Sequence, residues 1–139
     1  MNLGGSILVA EDSRLLLELL RDALLAHGIG QHVVACGTGE VLLERAQEAL
    51  AAGDTPALYI LDIVMPGASG LEVARSLRAA ERSLGARTTP ILLYSSLQRS
   101  PEIDEVIESC WPVRFCHKQD GARSDRLALA IVETLRELA

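Results

Sequence analysis

Residues 57–70, ALYILDIVMPGASG, constrain the fold of this chain more than any other stretch. Five apolar residues, 57–61, run directly into Asp62 and then into the turn-forming group Met65, Pro66, Gly67, Ala68, Ser69 and Gly70. A short apolar run bounded by chain breakers is the pattern of a strand buried on both faces, as in a parallel sheet. An aspartate at the carboxyl end of such a strand stands where open α/β sheets bind their ligands. Asp62 is therefore the first candidate functional residue.

The rest of the chain supplies partners for that strand. Residues 6–10, SILVA, form a short apolar strand ending on Glu11 and Asp12. The spacing predicts a helix over about 13–27, with Arg14, Glu18, Arg21 and Asp22 on its polar side. Leu16, Leu19, Leu20, Ala23 and Leu24 fall on the opposite side, Leu25 lands among the polar residues, and Gly28 and Gly30 stop the helix. Residues 31–36 read as a second strand centred on Val33, Val34 and Ala35, and Thr38 as the N-cap of a helix over 39–52. After Asp62, the run Ser69-Gly70-Leu71-Glu72 fits a capping box and opens a helix that reaches about Leu84 and stops at Gly85. Residues 91–94, ILLY, form a fourth buried strand ending on Ser95 and Ser96. Ser100 and Pro101 supply a cap and a first-turn proline for a short helix over 101–110. Residues 113–117, VRFCH, make a fifth strand, less apolar and so nearer a sheet edge, which ends on Lys118. From Ser124 a last helix carries Leu127, Ile131, Leu135 and Leu138 on one face. Strands alternating with helices in this way predict a single α/β domain over 1–139, with a doubly wound five-stranded parallel sheet and helices on both faces.

Composition narrows the function. A net charge of −6 argues against a nucleic-acid footprint and against electrostatic attachment to anionic lipid. No apolar run approaches the length of a membrane helix, and residues 1–6 carry no export signal, so a cytoplasmic protein is expected. Cys36, Cys110 and Cys116 lack metal-type spacing and read as buried thiols; His27, His32 and His117 are scattered and make no ligand cluster.

In a parallel sheet all carboxyl ends share one edge, so Glu11, Asp12, Asp62, Ser95 and Lys118 converge on one crevice. Clustered carboxylates repel unless a cation separates them, and a hard divalent ion such as Mg²⁺ suits oxygen ligands. A carboxylate beside such an ion can attack phosphorus and form an aspartyl-phosphate, with a lysine and a hydroxyl to stabilise the phosphoryl oxygens.

Four segments carry a resemblance: Val9-Ala10-Glu11-Asp12; Leu61-Asp62-Ile63-Val64-Met65-Pro66 with Ser69-Gly70; Leu93-Tyr94-Ser95-Ser96; and Phe115-Cys116-His117-Lys118. Over nearly its whole length the chain resembles a receiver domain of a two-component response regulator, of the chemotaxis-regulator kind with a flavodoxin-like fold. The resemblance implies that Asp62 is the phosphoacceptor and that Glu11, Asp12, Asp62 and the backbone carbonyl of Val64 hold Mg²⁺. It further implies that Ser95 swings toward the phosphoryl group, that Lys118 contacts it, and that Phe115 turns inward on activation. The implied donor is a phosphohistidine on a sensor histidine kinase or histidine phosphotransfer protein. The implied readout is the face of the fourth helix, fifth strand and fifth helix, meeting an output protein or attached effector domain. Such a protein is a regulator and not a turnover enzyme.

Three positions depart from the family pattern. Gln119 follows Lys118 where a proline is usual, Glu11 replaces an aspartate, and Ser95 replaces a threonine. Gln119 and Glu11 are what would favour the competing reading, a pseudo-receiver acting as a constitutive interaction or dimerisation module. A phosphatase of the haloacid-dehalogenase type ranks lower, because it needs an aspartate two residues after the nucleophile and Val64 stands there. Val64 and Leu97, two residues beyond Asp62 and Ser95, are apolar and cannot orient an attacking water, so a long-lived phosphoryl group is expected.

Overall fold

A computed structural model describes residues 4–118 and 124–138. Five parallel strands form one sheet: β1 (Ile7–Ala10), β2 (Val33–Cys36), β3 (Leu58–Asp62), β4 (Ile91–Ser95) and β5 (Val113–His117). Five helices connect and follow them: α1 (Arg14–Leu25), α2 (Gly39–Ala51), α3 (Gly70–Leu84), α4 (Pro101–Ser109) and α5 (Ser124–Leu138). The strand order is β2-β1-β3-β4-β5, so β5 lies at an edge as its composition suggested, with β2 at the other. This is the flavodoxin-like doubly wound arrangement, and its switch point falls between β1 and β3.

Alternation along each strand divides the core into two layers. Leu8, Tyr59, Leu61, Ile91 and Leu93 pack with side chains of α2, α3 and α4, including Leu42, Leu77 and Val106. Ile7, Val9, Leu58, Ile60, Leu92 and Tyr94 pack on the other face with Leu20 and Leu24 of α1 and Leu127, Ile131 and Leu135 of α5. Both faces of the sheet are covered, which is why its inner strands read as continuous apolar runs.

Local sequence sets the helix ends. Ser13, Thr38, Ser69 and Ser100 each accept a hydrogen bond from the backbone N–H three residues on, capping α1, α2, α3 and α4. Gly85 ends α3 at φ 64°, a left-handed conformation that costs glycine little.

Three expectations shift. The segment 31–36 does not run as one strand: Gly30–His32 is a 3₁₀ turn and the strand begins at Val33, because Ile29 is fully buried and anchors the turn to the core. Helix α1 ends at Leu25 and not at residue 27, and Gly28 follows at φ 77°. Leu19, assigned to the apolar side of α1, is 45 % exposed, whereas Leu17 packs against the core. Packing against α5 rotates the buried stripe toward Leu17, which a helical wheel alone cannot anticipate. Cys36 and Cys110 are buried as expected and Cys116 is half-buried. The fifth helix covers the sheet with Leu127, Ile131 and Leu135 as its spacing indicated.

Candidate functional site

The site grows out of strand ends. β1 and β3 are neighbours in register, Ala10 beside Leu61, so the residues that follow them, Glu11, Asp12 and Asp62, meet at the switch point. β4 pairs with β3 on its other side, Asp62 beside Tyr94, and β5 pairs with β4, Ser95 beside His117. Lys118 then follows the edge strand on the same rim, its N–H donating to the Ser95 carbonyl at 2.7 Å.

One carboxylate oxygen from each of Glu11, Asp12 and Asp62 lies within 4.8 Å of the others. Glu11 and Asp62 are buried and Asp12 is exposed. The Lys118 ammonium donates to Asp62 Oδ2 at 2.8 Å and stands 3.5 Å from Glu11 Oε1. Asp62 Oδ1 accepts from the Val64 N–H at 3.2 Å. Glu11 Oε2 accepts from the N–H groups of Asp12 at 2.8 Å and Ser13 at 3.3 Å, where the amino end of α1 favours negative charge.

The loop after β3 is clasped from two sides. At Gly70 a Cβ would lie 2.4 Å from the Asp62 carbonyl oxygen, so only glycine lets α3 start this close to the strand. Glu40 of α2 accepts from the Ala68 N–H at 3.0 Å, and Gly67, at φ 81°, leaves room for that carboxylate. A groove of about 290 Å³ adjoins the loop, lined by Val64, Met65, Leu97 and Ile103 among others.

The electrostatics follow from burial. Desolvation pushes the Glu11 carboxyl above its ordinary value, against the opposing pull of the Tyr94 hydroxyl and Lys118. Burial alone would lower the Lys118 ammonium, but the hydrogen bond and charge of Asp62, with Glu11, outweigh it and raise the value overall. Lys118 therefore stays charged and partly neutralises the acidic cluster.

Of the residues expected to converge, Glu11, Asp12, Asp62 and Lys118 do so. Ser95 is fully buried beside them, but its hydroxyl accepts from the Leu97 N–H at 3.1 Å and so points into its own loop. Val64 is exposed, and Phe115 is half-buried against the α3–α4 layer of the core. Gln119 lies outside the described residues. Sequence reasoning missed Tyr94. Its hydroxyl donates to Glu11 Oε1 at 2.8 Å, and its ring lies 5.0 Å from the Lys118 ammonium. The available signal was a polar-tipped ring in an otherwise apolar strand, one residue before Ser95. Glu40 was missed as well, since a first-turn glutamate reads as an ordinary dipole-favoured charge.

The donor set is all oxygen and net anionic, which fits a hard divalent cation and gives no ligand of the kind zinc or copper prefers. A doubly wound sheet with an acidic crevice and a lysine at its switch point is the chemical profile of a protein that handles phosphoryl groups with a metal ion. The family described as response regulator receiver domain matches residues 7–111, and the chain belongs to that family. Among its relatives, the virulence sensor protein BvgS of Bordetella pertussis is 38 % identical over 99 residues, covering 71 % of this chain and 7 % of that protein. The sensory/regulatory protein RpfC of Xanthomonas campestris pv. campestris is 33 % identical over 137 residues, covering 96 % of this chain and 16 % of that protein. The chain thus spans a small part of the curated relatives it matches. The receiver domain of the histidine kinase CKI1 from Arabidopsis thaliana, solved with Mg²⁺, superposes with a TM-score of 0.75 at 25 % identity, covering 94 % of this chain and 91 % of that one. The chemotaxis protein CheY4 of Vibrio cholerae shares the fold with a TM-score of 0.73 at 22 % identity, covering 99 % of this chain and 100 % of that one. Among the described residues no helix is long and apolar enough to cross a membrane.

Proposed function

We propose that this receiver domain, spanning 1–139 as a single unit, is a phosphorylation-dependent signalling switch in which Asp62 accepts a phosphoryl group from a phosphohistidine. The observation that carries this reading is the environment of Asp62. It is a buried carboxylate at the end of a central strand, with an ammonium at 2.8 Å and two further carboxylates clustered around it. In the transfer the P–N bond of the donor breaks, with its electron pair staying on the imidazole, and a P–O bond forms to an Asp62 oxygen. Glu11, Asp12, Asp62 and the Val64 carbonyl would hold Mg²⁺, which would supply charge stabilisation for the phosphoryl oxygens.

The chain's own residues do the rest. Lys118 neutralises charge on the acceptor oxygen and is placed to follow it onto the phosphoryl group. The Ser95 hydroxyl would leave the Leu97 N–H and bond a phosphoryl oxygen, and Phe115 would turn further into the core. Those movements alter the face of α4, β5 and α5, and an output protein or attached effector domain with different affinity for the two arrangements reads the signal. The donor partner is a sensor histidine kinase or a histidine phosphotransfer protein, and the working compartment is the cytoplasm. The protein acts stoichiometrically, as a regulator and not as a turnover enzyme.

Incubation with Mg²⁺ and acetyl phosphate, read by intact-mass spectrometry, tests the proposal. The wild-type chain gains one phosphoryl group and Asp62→Ala gains none. A wild-type chain that stays unmodified with both acetyl phosphate and a phosphohistidine donor would point instead to a constitutive interaction module.

A further inference from the structure

Each oxygen of the buried Glu11 carboxylate is spoken for. Oε2 accepts the two backbone N–H groups at the start of α1. Oε1 faces two donors, the Tyr94 hydroxyl at 2.8 Å and the Lys118 ammonium at 3.5 Å. The same ammonium is 2.8 Å from Asp62 Oδ2. One lysine therefore stands between two buried carboxylates, paired with both and held closer to Asp62.

What decides the choice is who satisfies Glu11. A buried carboxylate oxygen without a donor carries an uncompensated desolvation cost, so some group must come to it. With the Tyr94 hydroxyl in place, that need is met without the lysine. Without it, Lys118 is the donor already within reach and would be drawn off Asp62. The Tyr94 ring adds a second restraint, because the ammonium lies over its electron-rich face at 5.0 Å. Tyr94 is itself firmly mounted: it is 2 % exposed, and its carbonyl accepts from the Ile63 N–H at 3.3 Å.

We propose that Tyr94 is a positioning residue of the acceptor site: its hydroxyl occupies Glu11, so that Lys118 is left to Asp62, while its ring supports the ammonium there. The inference rests on the reading of Asp62 as phosphoacceptor and Lys118 as its charge partner. It predicts that the phenol acts through the lysine and not merely as core filling.

Four proteins test it: wild type, Tyr94→Phe, Lys118→Met and the double variant, each phosphorylated with acetyl phosphate at saturating Mg²⁺. Phenylalanine keeps the ring and its packing, so only the hydroxyl is lost. Tyr94→Phe should react about tenfold more slowly, on the scale of a misdirected charge-stabilising donor, and the double variant should react no more slowly than Lys118→Met. A Tyr94→Phe rate within about twofold of wild type overturns the proposal, as do independent, multiplicative losses in the double variant. A crystal structure of Tyr94→Phe without Mg²⁺ gives a reading that needs no phosphorylation. Lys118 Nζ should lie nearer Glu11 Oε1 than Asp62 Oδ2, and an ammonium still seated on Asp62 overturns the idea. Should the wild-type chain take no phosphoryl group, the function reading falls and the crystallographic result alone decides the role of Tyr94.

Discussion

At the scale of single residues, both tyrosines of the chain are buried, and burial drives each phenol above its ordinary value of 10.0. For Tyr59 the value is about 12, with the Glu81 charge adding to desolvation. A phenol raised on folding contributes stability that is fully present below its unfolded value and lost as pH rises through the folded one. For Tyr59 that window lies between pH 10.0 and about 12, and the loss is on the order of 2–3 kcal/mol. Tyr94 adds to it with the same sign. In an alkaline titration, phenolate absorbance should therefore rise together with the loss of helical circular dichroism. Phenolate appearing in the still-folded protein near pH 10 would contradict this. Two apolar residues beside Asp62, the proposed acceptor, bear on how long a phosphoryl group would last there. Val64 and Leu97 are 58 % and 46 % exposed at the mouth of the site, and neither can hold an attacking water. Val64→Asn and Leu97→Glu should each shorten the lifetime of phosphorylated Asp62, followed by loss of the phosphoryl group over time. Slower decay in both variants than in the native chain would rule the idea out.

At the scale of elements, α3 is tied down at both ends. Near its carboxyl end, Arg78 and Glu81 form a buried ion pair at 2.7 Å. Arg78 also donates to the carbonyls of Cys110 and Pro112, and Glu81 accepts from the Thr89 N–H. The pair thus satisfies the backbone of the turn between α4 and β5 and of the lead into β4. Arg78→Leu should cost about 3–5 kcal/mol in urea unfolding, because it strands Glu81 as a buried charge. Arg78→Met with Glu81→Leu should recover part of that loss, though not the bond to Thr89. At the amino end, Gly70→Ala would set a Cβ 2.4 Å from the Asp62 carbonyl and 2.9 Å from Ile63 Cα, atoms of backbone that cannot step aside. That variant should lose about 1–3 kcal/mol of stability and phosphorylate more slowly, since the strain falls on the peptide of Asp62, the proposed acceptor. A normal rate would show that the loop relaxes without disturbing Asp62. Gly70 stood out in the sequence as a breaker after Asp62, but the buried ion pair was not legible beforehand. On a helix, arginine three residues before glutamate reads as a solvated surface pair, and only the arrival of the α4–β5 turn gives Arg78 its carbonyl partners.

At the scale of the whole molecule, the site joins β1, β3 and β5 at one rim, so a ligand held there should stabilise the entire fold. A cation that binds the folded chain alone raises stability by about 2.7 kcal/mol at a hundred times its dissociation constant. Mg²⁺ should accordingly raise the thermal midpoint of the wild-type chain, and Asp12→Ala should abolish the rise; an equal rise in both would place the ion elsewhere. The architecture itself could be read from the chain. Apolar runs bounded by breakers gave the five strands, caps at Thr38, Ser69 and Ser100 fell where helices begin, and polar residues at four strand ends marked the crevice. These are local or periodic signals, and parallel pairing with short connections leaves few ways to assemble them. What sequence could not decide was which donor meets which acceptor inside the crevice: Tyr94 reaching Glu11 across 83 residues, Lys118 choosing Asp62, Ser95 turned toward Leu97. Nor could it fix the rotation of α1 that exposes Leu19. Periodicity says which way a side chain leaves its own element. Partner choice depends on distances between elements a few ångströms apart in space and far apart in the chain, and those exist only once the sheet has closed its layers.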